Sequence, residues 1–246
     1  MLSNAQSKYI RSLSQQKYRK QYNVFTAEGD KIAREWLASK AEVHTIVATA
    51  DWADIYKDLI KNHPGAELCI VTEQELEKVS SLQTPNKVLL VVKIPADEQA
   101  LPAKGWCIAL QQIQDPGNMG TIIRIADWFG IEHVIASADS VDYCNPKVVQ
   151  AAMGGHLRVK LHTADLNSFL LETALPVFAA TIDGESIYSI DNPRQGIILI
   201  GNESKGLPDE LLQHATHRVT IPKKGGAESL NAAVSAGIIA AFFAGR

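Results

Sequence analysis

Apolar residues along the chain change their spacing, and the spacing predicts the elements. Ser3 to Ser12 and Gly29 to Ser39 repeat apolar positions every three to four residues and predict helices, while His44 to Ala48 and Glu67 to Val71 are short apolar runs that predict strands. Helices are also predicted at Trp52 to Asn62 and Glu73 to Ser80, before the apolar run Lys87 to Val92. This part reads as a small α/β domain, residues 1–93. KIPADEQALPAKG, residues 93–105, then breaks all periodicity with its prolines and closing glycine, so a linker is expected at 94–105.

Past the linker the alternation is cleaner. Strands are predicted at Trp106 to Leu110, His133 to Ala136, Arg158 to Leu161, Val177 to Ala180, Gly196 to Ile200 and Arg218 to Ile221. Helices fall between them at Met119 to Phe129, Pro146 to Met153, Asp165 to Glu172 and Asp209 to Gln213, with a last one from Ser229 to Ala244. Such alternation implies a parallel sheet covered on both faces, with ligands at the carboxyl ends of the strands. Residues 106–246 are therefore expected to be an α/β/α domain.

Composition narrows the class without choosing it. With 246 residues and 46% hydrophobic content the chain can bury a sizeable core. No apolar run reaches the roughly 18 to 20 residues of a membrane helix, and MLSNAQSKYIRSL lacks the apolar stretch of a signal peptide, so a cytoplasmic protein with no membrane partner is expected. Cys69, Cys107 and Cys144 form no C-x-x-C pair and are expected as reduced thiols. His214 and His217 lack a third clustered ligand, so no metal site is expected.

Charge is unevenly spread. The net charge of −3 argues against a general polyanion binder, yet residues 1–27 hold Lys8, Arg11, Lys17, Arg19 and Lys20 and no acid. Tyr9, Tyr18, Tyr22 and Phe25 are interleaved with them, and basic residues among aromatics can hold phosphates and stack on bases. A solvated amphipathic helix would have the same composition.

Three polar loops carry glycine after an apolar run: DPGNMG at 115–120, GNESKGLP at 201–208 and IPKKGGAESLN at 221–231. In a parallel sheet they gather at one end. None is a G-x-x-x-x-G-K-[ST] or G-x-G-x-x-G fingerprint, which counts against an ordinary doubly wound nucleotide-binding enzyme.

The set Asn118, Gly120, Arg124, then IGNESKGLP, then Ile221 to Asn231 resembles the three motifs of the SpoU family of RNA ribose 2′-O-methyltransferases, of the SPOUT superfamily. Residues 12–37, SLSQQKYRKQYNVFTAEGDKIAREWL, are similar to the substrate-binding domain that many members carry. The resemblance implies a deep trefoil knot in roughly residues 175–246 and S-adenosylmethionine as cofactor. It also implies RNA as partner, rRNA rather than tRNA. The last helix, AAVSAGIIAAFFAG, is too apolar on several faces for a monomer surface and is expected to pack inside the knot and near a twofold homodimer interface. By the same resemblance, cofactor contacts fall on Gly201, Ile221 and Leu230, with Thr181 a weaker candidate; Asn202 and Gly206 of the same loop join the cofactor set, and the basic residues Lys8, Arg11, Lys17, Arg19 and Lys20 are the expected RNA contacts. Lys223, Ala227, Ala232 and Ala233 depart from the residues usual in the third motif, which bears on the rim of the site.

The chemistry fits these residue types. Glycines let backbone approach a ligand, and Ile221 and Leu230 could sandwich an adenine, although in isolation both read as ordinary core. A ribose hydroxyl is a poor nucleophile while protonated, so it needs a base or a cation that stabilises the developing alkoxide. The resemblance gives that place to Arg124. Guanidinium stays protonated in proteins, which favours a fork that holds phosphate and steadies the alkoxide and leaves a proton-acceptor role open. On position alone Arg124 would be a helix-surface residue paired with Asp127 or Asp115. Asn118, Glu203, Ser229 and Asn231 are the other catalytic candidates; Asn118 and Ser229 would equally suit helix N-caps. Asn118 and Gly120 are expected to make the tight turn out of the first strand. The rival reading is a catalytically silent RNA-binding relative of the same fold.

Overall fold

The computed structural model describes residues 2–82, 84, 86–95, 100–191 and 193–245; positions 96–99 of the expected linker lie outside them. The chain divides into two compact units, Met1–Ala96 with Asp142–Leu157, and Asp97–Val141 with Arg158–Arg246.

The first unit is built from α1 (Asn4–Ser12), α2 (Gln16–Tyr22), β1 (Val24–Glu28), α3 (Asp30–Ala38), β2 (Val43–Thr49), α4 (Ala50–Ile55), α5 (Lys57–Lys61), β3 (Glu67–Val71), α6 (Glu73–Glu77) and β4 (Val88–Lys93). Its sheet runs β1-β4-β2-β3, with β4 antiparallel to both neighbours and β2 parallel to β3. Every residue of β1, and Val88 to Val92 of β4, is buried, because helices cover both faces. Phe25, Trp36, Trp52 and Leu90 fill one side, and Ile10, Leu13, Leu76 and Leu89 the other.

Three differences from the sequence pattern have local causes. Strand β1 and helix α2 are absent from the expected elements, since five residues containing Thr26 and Glu28 do not alternate in polarity. Glu28 is nevertheless buried, and its carboxylate accepts hydrogen bonds from Ser80 Oγ (2.6 Å), Ser81 N (3.0 Å) and Ser81 Oγ (2.7 Å). Such partners offset the cost of burying a charge. The single helix expected at 52–62 breaks at Tyr56, whose backbone leaves the helical region at φ −107°, ψ 24°.

The second unit contains β5 (Trp106–Leu110), α7 (Pro116–Trp128) and β6 (His133–Ala136). Helix α8 (Pro146–Ala152) follows in the chain but packs on β1 in the first unit, where Val149 joins the Phe25 and Trp36 cluster. The second unit continues with β7 (Lys160–Thr163), α9 (Leu166–Glu172), β8 (Val177–Ser186), β9 (Gly196–Ile200), α10 (Asp209–Leu212), β10 (His217–Thr220) and α11 (Ala232–Phe243). Its six strands are all parallel, in the order β10-β8-β9-β5-β6-β7. Alternate residues of the central strands face opposite layers. Cys107, Ala109, Ile197 and Leu199 meet Phe169, Leu170 and Leu211 of α9 and α10. On the other face Phe243 of α11 stacks on Trp106 of β5 at 5.6 Å, and Gly237 of α11 lies against Ile125 of α7.

Strand β8 runs on to Ser186, six residues past its expected end, and its register with β10 shifts between Arg218 and Val219. Gly184 occupies that shift: a Cβ there would lie 2.6 Å from the Arg218 carbonyl, so only glycine fits. Among the described residues no helix is long and apolar enough to cross a membrane.

Candidate active site

The sheet order places β5 beside β9, two strands far apart in the sequence. Chains leaving such a pair diverge, and ligands of parallel sheets bind in the crevice that opens there. The loops after β5 and β9 are tied together at this point. Gln111 N donates to Ile200 O (2.8 Å), and Asn202 Nδ2 donates to Gln112 O (2.9 Å). Gln112 adopts a left-handed conformation, φ 55°, while its N–H is taken by Ser137 Oγ (2.8 Å) and that of Ile113 by Ser140 Oγ (3.1 Å). The chain therefore turns at Gln112, not at Asn118 and Gly120 as expected.

Helix α7 starts at Pro116, three residues earlier than its apolar period suggests. Proline suits the first helical position, and Asp115 Oδ1 accepts from Asn118 N (2.8 Å) as the N-cap. Asn118 thus lies in the first turn, and its side chain is released from capping. Its Nδ2 donates to Glu203 Oε1 (2.6 Å), and its Oδ1 accepts from Asn231 Nδ2 (2.8 Å). One chain of hydrogen bonds joins a residue from each of the three glycine-bearing loops. Asn231 is also the N-cap of α11, where its Oδ1 accepts from Ala233 N (2.9 Å) and Val234 N (3.2 Å). Ser229, the other expected N-cap, is exposed and lies two residues ahead of Asn231, which caps the helix instead.

Arg124 is exposed on α7, and among the described residues its guanidinium has no hydrogen-bond or ion-pair partner. Both carboxylates that could have made it an ordinary surface pair are engaged. Asp127 binds Arg158 Nε at 2.8 and 3.0 Å, and Asp115 caps α7.

The cofactor candidates separate into two kinds. Asn202, Gly201 and Gly206 shape the loop itself. Asn202 Oδ1 accepts from Ser204 N (2.9 Å) and Lys205 N (3.1 Å), and Asn202 O accepts from Gly206 N (2.9 Å). A Cβ on Gly201 would come within 2.5 Å of the Gly206 carbonyl, and Gly206 sits at φ +68°. These glycines let the loop fold back tightly on its own backbone between residues 201 and 206.

Thr181, Ile221 and Leu230 have unused binding capacity instead. Thr181 Oγ1 is buried without a hydrogen-bond partner, which is costly unless a ligand or water meets it. Leu230 is 46% exposed, so ordinary core packing does not describe it. Ile221 is half-buried, and the loop between it and Leu230 is exposed throughout. An open groove of about 400 Å³ runs between α7 and α11 beside the Asn118–Asn231 pair, lined also by Thr121, Ile125, Val234 and Ile238.

The basic N-terminal segment divides in the same way. Lys8, Arg11, Lys17 and Lys20 are exposed. Arg19 is not: it is 2% exposed and gives its donors to Asp142 Oδ2 (2.5 and 3.0 Å), Leu13 O (2.7 Å) and Ser14 O (2.9 Å). Its expected RNA contact is therefore corrected to a structural tie within the first unit. The capping role of Asp115, and the parts played by Gln112, Ser137 and Ser140, are not visible in the apolar pattern. The Asp-Pro pair at 115–116 is a local N-cap signal, but only the β5–β6 pairing brings Ser137 and Ser140 to the loop.

Residues 105–241 match the SpoU rRNA Methylase family, and residues 4–90 match the MRM3-like substrate binding domain. The 23S rRNA (guanosine(2553)-2′-O)-methyltransferase RlmP of Bacillus subtilis is 29% identical over 240 residues, 96% of this chain and 94% of that one. A TrmH-family protein from Porphyromonas gingivalis superposes with a TM-score of 0.87 at 34% identity, covering 99% of this chain and 98% of that one. An AdoMet-bound rRNA methyltransferase from Sinorhizobium meliloti gives a TM-score of 0.87 at 28% identity, covering 98% and 95%. The family match over the parallel sheet and its three joined loops, with the domain match over the N-terminal unit, makes this an RNA methyltransferase of the α/β class. The chain belongs to the SpoU rRNA methylase family.

Proposed function

We propose that this enzyme transfers a methyl group from S-adenosylmethionine to a ribose 2′-hydroxyl of RNA, and that the RNA is ribosomal. The observation that carries the reading is the Asn231–Asn118–Glu203 hydrogen-bond chain in the same unit as an unpaired Arg124. A catalytically silent relative is not favoured, since all four polar side chains are in place. The rRNA preference is supported by the relatives' substrates and by the match to a substrate-binding domain.

The residues fit the cofactor. Thr181 Oγ1 would give its unused hydrogen bond, Ile221 and Leu230 would flank the adenine, and the loop organised by Gly201, Asn202 and Gly206 would offer backbone groups. S-adenosylmethionine, when bound, supplies an electrophilic methyl group on a sulfonium. Arg124 holds the phosphate next to the target ribose and stabilises negative charge developing on the 2′-oxygen as its proton leaves. Asn118 and Glu203 orient the polar side of the site, and Asn231 links that orientation to the start of α11. Ser229, exposed near Leu230, serves the rim.

The domain assignment follows: residues 1–93 bind RNA, 94–105 link, and 106–246 carry the transfer, with residues 142–157 lending α8 to the first unit. A trefoil knot in residues 175–246 is supported by the match of residues 105–241 to the SpoU family. A homodimer through α7 and α11 is supported by their apolar groove and by Trp128, which is 82% exposed on α7. A cytoplasmic location accords with an rRNA substrate.

The test is transfer of labelled methyl from S-adenosylmethionine to rRNA and to tRNA, with 2′-O-methyl mapping of the product. Label in one ribose of rRNA is the expected result. Label on a base, or in tRNA alone, overturns it.

A further inference from the structure

The first acidic residue in the chain is Glu28, which is buried and already saturated by Ser80 and Ser81. Ahead of it, α1 and α2 carry four exposed cations, Lys8, Arg11, Lys17 and Lys20. Two acids that reach these helices are occupied: Asp142 is bound by Arg19, and Glu67 accepts from Gln6 Nε2 (2.7 Å). No carboxylate hydrogen-bonds to the four exposed cations among the described residues.

Aromatic rings lie on the same two helices. Tyr18 and Tyr22, one helical turn apart on α2, lie nearly parallel, with centroids 6.3 Å apart and planes at 11°. Tyr9 of α1 meets Tyr22 edge-on at 5.0 Å, which fixes the Tyr22 ring from the side. Burial and the neighbouring Tyr22 push the Tyr9 phenol above its usual pKa, consistent with a ring wedged against its neighbours. Lys17 Nζ sits 4.6 Å from the centroid of Tyr18. Tyr22 itself is 42% exposed, a large rigid ring left in water among cations. Burial in the core accounts for Tyr9 and leaves Tyr22 unexplained.

We propose that the α1–α2 pair is a stacking platform for unpaired RNA bases, with Tyr18 and Tyr22 as its rings and Lys8, Arg11, Lys17 and Lys20 as its phosphate contacts. The proposal rests on the RNA-methyltransferase reading and makes it more specific: the first unit takes single-stranded RNA rather than duplex. In a duplex the base faces are already stacked and only phosphates are offered, whereas an unpaired loop exposes faces to a fixed ring. The cations alone would bind either form. The rings make the distinction.

The full-length enzyme is titrated with a fluorescent, unstructured RNA 12-mer and with a 12-base-pair duplex, following anisotropy at several salt concentrations. Wild type should prefer the single strand, with a log–log salt slope of about −3 for four phosphate contacts. Tyr22→Ala should weaken single-strand binding about tenfold and leave duplex binding unchanged. Tyr22→Phe should retain affinity. Tyr22→Leu keeps apolar packing against Tyr9 without a π-face, and should lose as much as alanine while its thermal midpoint stays at the wild-type value. Lys17→Gln and Lys20→Gln should each make the slope shallower by about 0.7. Equal losses on duplex and single strand, wild-type binding by Tyr22→Leu, or a loss in Tyr22→Phe overturns the platform. Labelled-methyl transfer to rRNA by the wild type is measured alongside. If transfer is present and the ring variants are silent, the platform fails alone; if transfer is absent, the functional reading has failed.

Discussion

Arg19 and Arg124 are the same side chain in opposite circumstances, one in each unit. Arg19 is buried and binds Asp142 and the carbonyls of Leu13 and Ser14, so its charge is consumed in holding the α1–α2 turn and the 142–157 segment together. Arg124 is exposed, and the acids near it in sequence are bound elsewhere. A buried guanidinium must be satisfied within the protein because desolvation is costly. An exposed one can keep its five donors for a ligand. The contrast teaches that the basic residue most deeply fixed in this fold is the one least able to touch RNA.

Substitution at both positions sharpens the contrast. Arg124→Ala should lower methyl-transfer turnover by about 10² to 10³ while leaving S-adenosylhomocysteine affinity and the melting temperature unchanged. Arg124→Lys keeps the charge, loses the planar fork and should restore little. Calorimetry and single-turnover transfer measure the two halves of this claim. Near wild-type turnover in Arg124→Ala would make the residue mere helix surface.

Arg19→Ala should do the reverse. Removing one partner of a buried pair leaves Asp142 without its cation and costs about 3–5 kcal/mol. Urea denaturation followed by tryptophan fluorescence should show the N-terminal unit unfolding earlier, while S-adenosylhomocysteine binding by folded protein persists. Unchanged stability with weakened RNA binding would reverse the roles assigned to the two arginines.

The smallest effect is a dependence on pH that the histidines of both units share. In the first unit burial lowers the pKa of His156, whose Nε2 lies 2.9 Å from Tyr143 O. In the second, burial and then His162 and Lys160 lower that of His133, with Glu132 opposing; its Nδ1 lies 3.0 Å from His162 Nε2. A lowered folded pKa means that the unfolded chain binds more protons below the ordinary value of about 6.5. Stability is therefore complete above that pH and declines as pH falls toward the folded values. Asp51, held down to about 2 by Lys87, titrates below this window and does not obscure it. The urea midpoint should fall between pH 7.5 and 5.5, and His133→Gln should flatten the loss assigned to the second unit. A midpoint that rises on acidification has the wrong sign for this account.

Much of the fold was legible locally. Strands β5, β6 and β9 fall where their apolar runs predict, because strands buried on both faces need no alternation. Strand β1 was not legible, since Thr26 and Glu28 read as polar until Ser80 and Ser81 meet the carboxylate. The start of α7 was misread because the Asp-Pro cap lies outside the apolar period that marked the helix.

The three glycine-bearing loops, their order along the chain and their gathering at one end of a parallel sheet are determined by the sequence alone. Period, turn residues and strand direction act over a dozen residues or fewer. Tertiary structure alone decided that Asn118 would bridge Glu203 and Asn231, 85 and 113 residues away. It also decided that Arg19 would be buried, and that α8 would pack with the first unit. Those outcomes depend on which side chains desolvate together once distant strands pair, and no local spacing encodes that choice.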